Sequence, residues 1–72
     1  MKDLRKIIGK RLHECRAAKK LTQAQVGEAL GISQQQYMRY ENGHRAPSCE
    51  SLVSLCEFFR VSSDYLLGIS EY

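Results

Sequence analysis

The sequence predicts an all-α fold, a compact five-helix bundle containing a helix-turn-helix. Three observations carry this expectation. Apolar residues recur at helical spacing almost throughout, and no stretch keeps the alternation of a half-buried strand. Helix-starting polar residues stand before the apolar runs, and glycines stand after them. The chain has 72 residues, which bounds it to one small domain that buries a smaller share of its surface than larger ones do. The domain is expected over residues 4–68, with 69–72 a short tail.

Residues 4–19 place Leu4, Ile8, Leu12 and Cys15 at spacings of four, four and three, one stripe of a helix. Its lysines and arginines mostly occupy the other faces. Thr22 is the next N-cap, and Gln25 three residues on completes a capping box. This second helix is expected to run to about Leu30, to bury Val26, Ala29 and Leu30, and to stop at Gly31. A left-handed helix stop favours glycine. Ser33 opens a third helix, again with a glutamine, Gln36, at the third position. Asn42-Gly43 ends it. That pair is also a strong hairpin signal, but its flanks carry helical periodicity. A loop follows from His44 to Pro47. Ser48 then caps a fourth helix marked by Leu52, Leu55, Cys56 and Phe59. Ser62 caps a last short helix, with Tyr65 and Leu66 inward and Gly68 as its stop.

Hydrophobic residues make up 43% and charged residues 26%, an ordinary globular balance. No apolar run approaches the roughly 18 residues of a membrane span, and no signal-peptide pattern opens the chain. Cys15, Cys49 and Cys56 form an odd count with no C-x-x-C pair, and His13 and His44 add no metal-ligand spacing. The expectation is small buried thiols in a reducing, cytoplasmic setting, with no cofactor and no small-molecule ligand. Catalysis needs a nucleophile beside a base, or paired carboxylates in a cleft. Cys15 lies on the apolar stripe, and no such carboxylate pair is suggested. The net charge of +3 is unevenly spread: residues 1–20 carry +6, residues 21–47 balance, and residues 48–72 carry −3. A polyanion is therefore expected to meet the first half, leaving the second for other contacts.

The stretch SQQQYMRYENG, residues 33–43, holds the most chemistry. At 100° per residue, Ser33, Tyr37 and Tyr40 share one side, with Glu41 at its edge. Gln35, Met38, Arg39 and Asn42 share the other, and Gln34 projects from the first turn. The tyrosines belong to the core or its margin. The outward groups are amides and a guanidinium with no acid among them, the chemistry that reads base edges: Gln or Asn bonds adenine bidentately, and Arg bonds guanine so. A Gln-rich face alone is a weak signal. A short capped helix, a glycine turn and a second helix with these groups at its start together make the helix-turn-helix plan.

TQAQVGEALGISQQQYMRYENG resembles the helix-turn-helix core of the XRE-type regulators, the Cro and phage-repressor family. The likeness extends to Ile8 through Arg16 and Leu21 on one side, and to RAPSCESLVSLCEFFRVSSDYLLG on the other, about residues 4–68 in all. Two positions depart from the commonest pattern: Gly27 stands where alanine is usual, and Tyr37 where isoleucine or valine is more frequent. The resemblance implies a prokaryotic or phage-encoded transcriptional regulator, a repressor bound as a homodimer to a palindromic operator in double-stranded DNA. It implies base contacts from Gln34, Gln35 and Arg39, and phosphate contacts from Asn42 and from Gln23 at a helix N-terminus. Gln36 is a structural residue or a phosphate neighbour. The resemblance also pairs Arg16 with Glu41 in a partly buried ion pair joining the first helix to the end of the third. Lys10 and Arg11 are solvated or touch phosphate, and His44 faces the helix dipole or a phosphate. Dimerisation is expected through the C-terminal half, where Phe58 and the tail from Leu67 to Tyr72 exceed what a short final helix can bury. The rival role is a protein-interaction module, an antitoxin or adaptor on the same fold.

Overall fold

The structure, a computed structural model, describes residues 3–71. Within them lie five helices and no strand: α1 Leu4–Ala18, α2 Gln23–Leu30, α3 Gln34–Glu41, α4 Cys49–Phe59 and α5 Ser63–Leu66. No helix among the described residues is long and apolar enough to cross a membrane.

All five helices start by the same device. The side chains of Asp3, Thr22, Ser33, Ser48 and Ser62 accept the N–H of Lys6, Gln25, Gln36, Ser51 and Tyr65 respectively. Each such bond satisfies a first-turn donor that has no partner inside the helix, and is worth about 1 kcal/mol. Thr22 has both halves of a capping box: Gln25 Oε1 accepts from the Thr22 N–H at 2.8 Å, and Thr22 Oγ1 accepts from the Gln25 N–H at 3.1 Å. Gln36 holds the same place in α3 but sends its amide elsewhere.

The helices also end alike. After each one, an N–H reaches back to the carbonyl five residues earlier: Leu21 to Arg16, Ile32 to Gly27, His44 to Arg39, Val61 to Cys56 and Ile69 to Asp64. Such closure needs a left-handed residue just before the donor. Gly31, Gly43 and Gly68 fill that place three times, and Lys20 and Arg60 fill it twice at φ 57°. A side chain there costs roughly 1–2 kcal/mol. Leu21 and Val61, the residues that follow, pack against the core, and their burial offsets the strain.

The core consists of Ile8 and Leu12 of α1, Val26 of α2, Tyr37 and Tyr40 of α3, Leu55 and Phe59 of α4, and Leu66 of α5. α3 packs on α1 and α2, α4 on α2 and α5, and α5 returns to α1. Three expectations need correction. Leu4 is 50% exposed, at the very start of α1. Ala29 is exposed; it lies about 100° around α2 from the middle of the face made by Val26, Gly27 and Leu30. Cys49 is exposed in the first turn of α4, while Cys15 and Cys56 are half-buried.

Gly27 is a demand of the packing. A Cβ there would sit 3.0 Å from the Ile32 carbonyl oxygen and 3.3 Å from Ser33 backbone atoms. α2 thus lies closer to the start of α3 than alanine comfortably permits.

Candidate nucleic-acid interface

α3 owes its orientation to what it buries. Tyr37 is fully enclosed and Tyr40 is 3% exposed, which turns Gln34, Gln35, Arg39 and Asn42 to solvent and leaves Gln36 and Met38 half-buried. The side chains of Gln34, Gln35, Arg39 and Asn42 make no hydrogen bond or ion pair with another described residue. Their donors and acceptors stand uncommitted on one face.

The opposite side of α3 is tied to α1. Arg16 grips Glu41 with two parallel bonds, Nε to Oε2 at 2.7 Å and Nη2 to Oε1 at 2.9 Å. Its Nη1 donates to the Leu21 carbonyl at 2.9 Å, which fixes the turn into α2 as well. Glu41's side chain is 3% exposed and Arg16's 18%. Burial by itself would raise the Glu41 carboxyl, but the hydrogen bonds from Arg16 and His13 outweigh it and hold its pKa at about 2. The Glu41 bond raises the Arg16 guanidinium in turn. His13 Nδ1 lies 3.0 Å from Glu41 Oε1 and 3.2 Å from Arg16 Nη2, so it donates to the carboxylate when that nitrogen carries a proton. The Tyr37 hydroxyl lies near the same carboxylate yet completes no hydrogen bond of good geometry among the described residues, and burial pushes its phenol well up.

The remaining expected contacts fall in different places. Gln23 is the half-buried first residue of α2, where first-turn N–H groups point out of the helix ladder. Gln36 Nε2 donates to the Tyr40 hydroxyl at 3.1 Å, so one of its two N–H donors is spent within the protein. Arg11 lies over the Tyr65 ring at 4.3 Å and pairs with Glu71 at 3.7 Å, facing the acidic end of the chain. Lys10 is exposed, and His44 is exposed with its backbone N–H on the Arg39 carbonyl. Sequence reasoning overlooked Arg45. Its N–H also reaches the Arg39 carbonyl, at 3.3 Å, which sets an exposed cation beside the end of α3. A cation two residues past a glycine helix stop was the available signal.

The expected dimer surface is partly redrawn. Phe58 stacks edge-on against Phe59 with ring centres 5.0 Å apart, and both Phe58 and Leu67 pack on the core. Among the described residues, the large exposed apolar groups of the second half are Ile69 at 72%, which lies within the expected tail, and Val53 at 56%, which was not expected. Tyr72 lies outside the described residues.

A glycine-turned helix pair whose second helix presents uncommitted amides and a guanidinium defines the helix-turn-helix class of DNA-binding folds. The helix-turn-helix family model matches residues 12–66, and the chain belongs to the XRE-type helix-turn-helix family, a non-enzymatic DNA-binding class. It is 39% identical over 64 residues to the HTH-type transcriptional regulator ImmR of Bacillus subtilis, covering 89% of this chain and 50% of that protein. It is 39% identical over 61 residues to the cryptic phage CTXphi transcriptional repressor RstR of Vibrio cholerae, covering 85% and 54%. The antitoxin PezA of Streptococcus pneumoniae is 36% identical over 62 residues, covering 86% and 39%. The chain spans about half the length of the curated relatives it matches.

Proposed function

We propose that this protein regulates transcription, as a repressor that binds a two-fold related operator in double-stranded DNA as a homodimer. One observation carries the reading. Gln36, Tyr40 and Glu41 of α3 are tied inside the protein, while Gln34, Gln35 and Arg39 of the same helix and its cap Asn42 have no side-chain partner among the described residues. Gln34 and Gln35 occupy the first turn, which enters the major groove nearest the bases. Arg39 lies one turn beyond Gln35 on the same face and reaches a neighbouring base pair. Each bidentate contact discriminates by roughly 1–3 kcal/mol, adenine opposite a glutamine and guanine opposite Arg39. Gln23 and Asn42 set register on phosphates and carry no sequence information.

The test begins with selection of bound sequences from a random duplex library. Gln35→Ala and Arg39→Ala are expected to lose affinity for the selected operator alone, and Asn42→Ala to weaken operator and scrambled duplex alike. Equal losses on both DNAs for the first two would reduce α3 to a backbone clamp. The antitoxin relative supports a protein-adaptor role as the second reading; a pure adaptor lacks the steep salt dependence of duplex binding.

Dimerisation through the acidic second half would set two recognition helices about 34 Å apart, one DNA turn. Val53 and Ile69 are the apolar groups free to form that contact. Val53→Glu is expected to shift sedimentation toward monomer at unchanged helix content. A wild-type protein that stays monomeric at high micromolar concentration removes the homodimer.

A further inference from the structure

Four side chains run from the recognition helix to the start of α4. Gln36 Nε2 donates to the Tyr40 hydroxyl at 3.1 Å, and that hydroxyl donates to Ser51 Oγ at 3.5 Å. Ser51 Oγ also accepts from Ser48 Oγ at 3.1 Å, and Ser48 Oγ in turn caps α4 by accepting the Ser51 N–H at 3.1 Å. The helices joined in this way do not pack closely. α4 rests on α2 and α5, and a crevice of about 200 Å³, lined by Leu30, Ile32, Tyr40, Ser51 and Ser54 among others, separates it from α3. Tyr40 is the polar strut across that gap.

A strut there matters because α3 has only eight residues. Burial of Tyr37 and Tyr40 and the Glu41 tie set its inward face, but they hold it against α1 and α2 alone. Side-chain tips stand about 6 Å from a helix axis, so a roll of roughly 20° carries them about 2 Å, enough to break a bidentate base contact. A tie to a third helix, α4, narrows what roll remains. Gln36 is also held inward by the same bond, which leaves Gln34 and Gln35 as the outward glutamines.

We propose that Tyr40, together with Gln36 and Ser51, is a positioning residue for base recognition: the Gln36–Tyr40–Ser51 relay fixes the roll of α3 and so sets operator discrimination without touching DNA. This rests on the DNA-binding reading above. Of the two roles open to Gln36, structural residue or phosphate neighbour, it takes the first.

The experiment compares Tyr40→Phe, Ser51→Ala, their double variant and Gln36→Ala on operator and scrambled duplexes across a salt series, with thermal melts of each. Each single variant is expected to keep its scrambled-DNA affinity and salt slope while its operator preference falls about tenfold, the worth of one bidentate contact. The double variant should be no worse than either single one, because one relay is being cut twice. Ser51→Thr, which keeps a hydroxyl, should restore the preference, and it serves with Ser51→Ala if Tyr40→Phe fails to fold. Wild-type discrimination in Ser51→Ala, or losses that multiply in the double variant, overturns the relay. A Gln36→Ala variant that loses scrambled affinity and about one unit of salt slope overturns it too, by making Gln36 a phosphate ligand. A wild-type protein without operator preference fails the DNA reading itself, which the unmutated protein alone reveals.

Discussion

Glu41→Gln is expected to destabilise the protein by about 3–5 kcal/mol at neutral pH, the range for removing one partner of a buried ion pair. The substitution keeps the shape of the side chain and removes its charge. Arg16 stays largely enclosed, bonded to the Leu21 carbonyl, with no carboxylate to balance it. A domain of this size has a total stability on the order of 4–11 kcal/mol, so much of it is at stake. The melting temperature should fall by roughly 15 °C or more. The same pair gives a pH dependence whose sign is fixed by its direction. The Glu41 carboxyl lies at about 2 in the folded protein against an ordinary 4.5. Its contribution is therefore full above about pH 5 and is lost as pH falls toward 2, about 3 kcal/mol in all. Melts of both proteins from pH 7 to pH 2 check this: the gap between them should close in acid. Equal melting temperatures at pH 7 would mean that water, not Arg16, satisfies the carboxylate.

That pair was visible in the sequence through the family pattern, whereas its neighbours in the same network were not. No spacing rule connects His13 with Glu41 across 28 residues. The helix starts were legible because a cap is a local bond: Thr22, Ser33, Ser48 and Ser62 each sit three residues from the N–H they accept. The stops were legible only where glycine made them. Lys20 and Arg60 take the same left-handed conformation, and their identity gives no hint, because the strain is balanced by Leu21 and Val61 packing elsewhere in the fold. Periodicity located most of each helix face but not its margins or its ends, so Ala29 at the edge of the α2 face, and Leu4 and Cys49 in first turns, were misplaced. The outward face of α3 followed from 100° geometry alone. Gln36 did not: its bond to Tyr40 joins i and i+4 of one helix, a contact that spacing permits but that periodicity of apolar residues does not reveal.

Gly9→Ala is the second large effect, and secondary-structure propensity predicts its sign wrongly. Gly9 lies in the middle of α1, where glycine costs up to about 1 kcal/mol relative to alanine, so propensity alone makes alanine stabilising. Packing reverses this. A Cβ on Gly9 would collide with the carbonyl oxygen of Glu41 and stand 2.9 Å from the Tyr40 carbonyl oxygen. These are backbone atoms of the last turn of α3, which cannot swing aside as a side-chain tip can. α1 and α3 must separate, and the Arg16 bonds to Glu41, at 2.7 and 2.9 Å, lengthen with them. Overpacking costs about 1–3 kcal/mol and occasionally more, to which the weakened ion pair adds. A net loss of about 3 kcal/mol is expected after the helix gain is subtracted. The readout is chemical denaturation beside operator binding, since a displaced α3 should lose discrimination even where the protein remains folded. Stability equal to or above wild type would show that α1 and α3 are not in backbone contact, and with that contact would go the placement of the recognition helix itself.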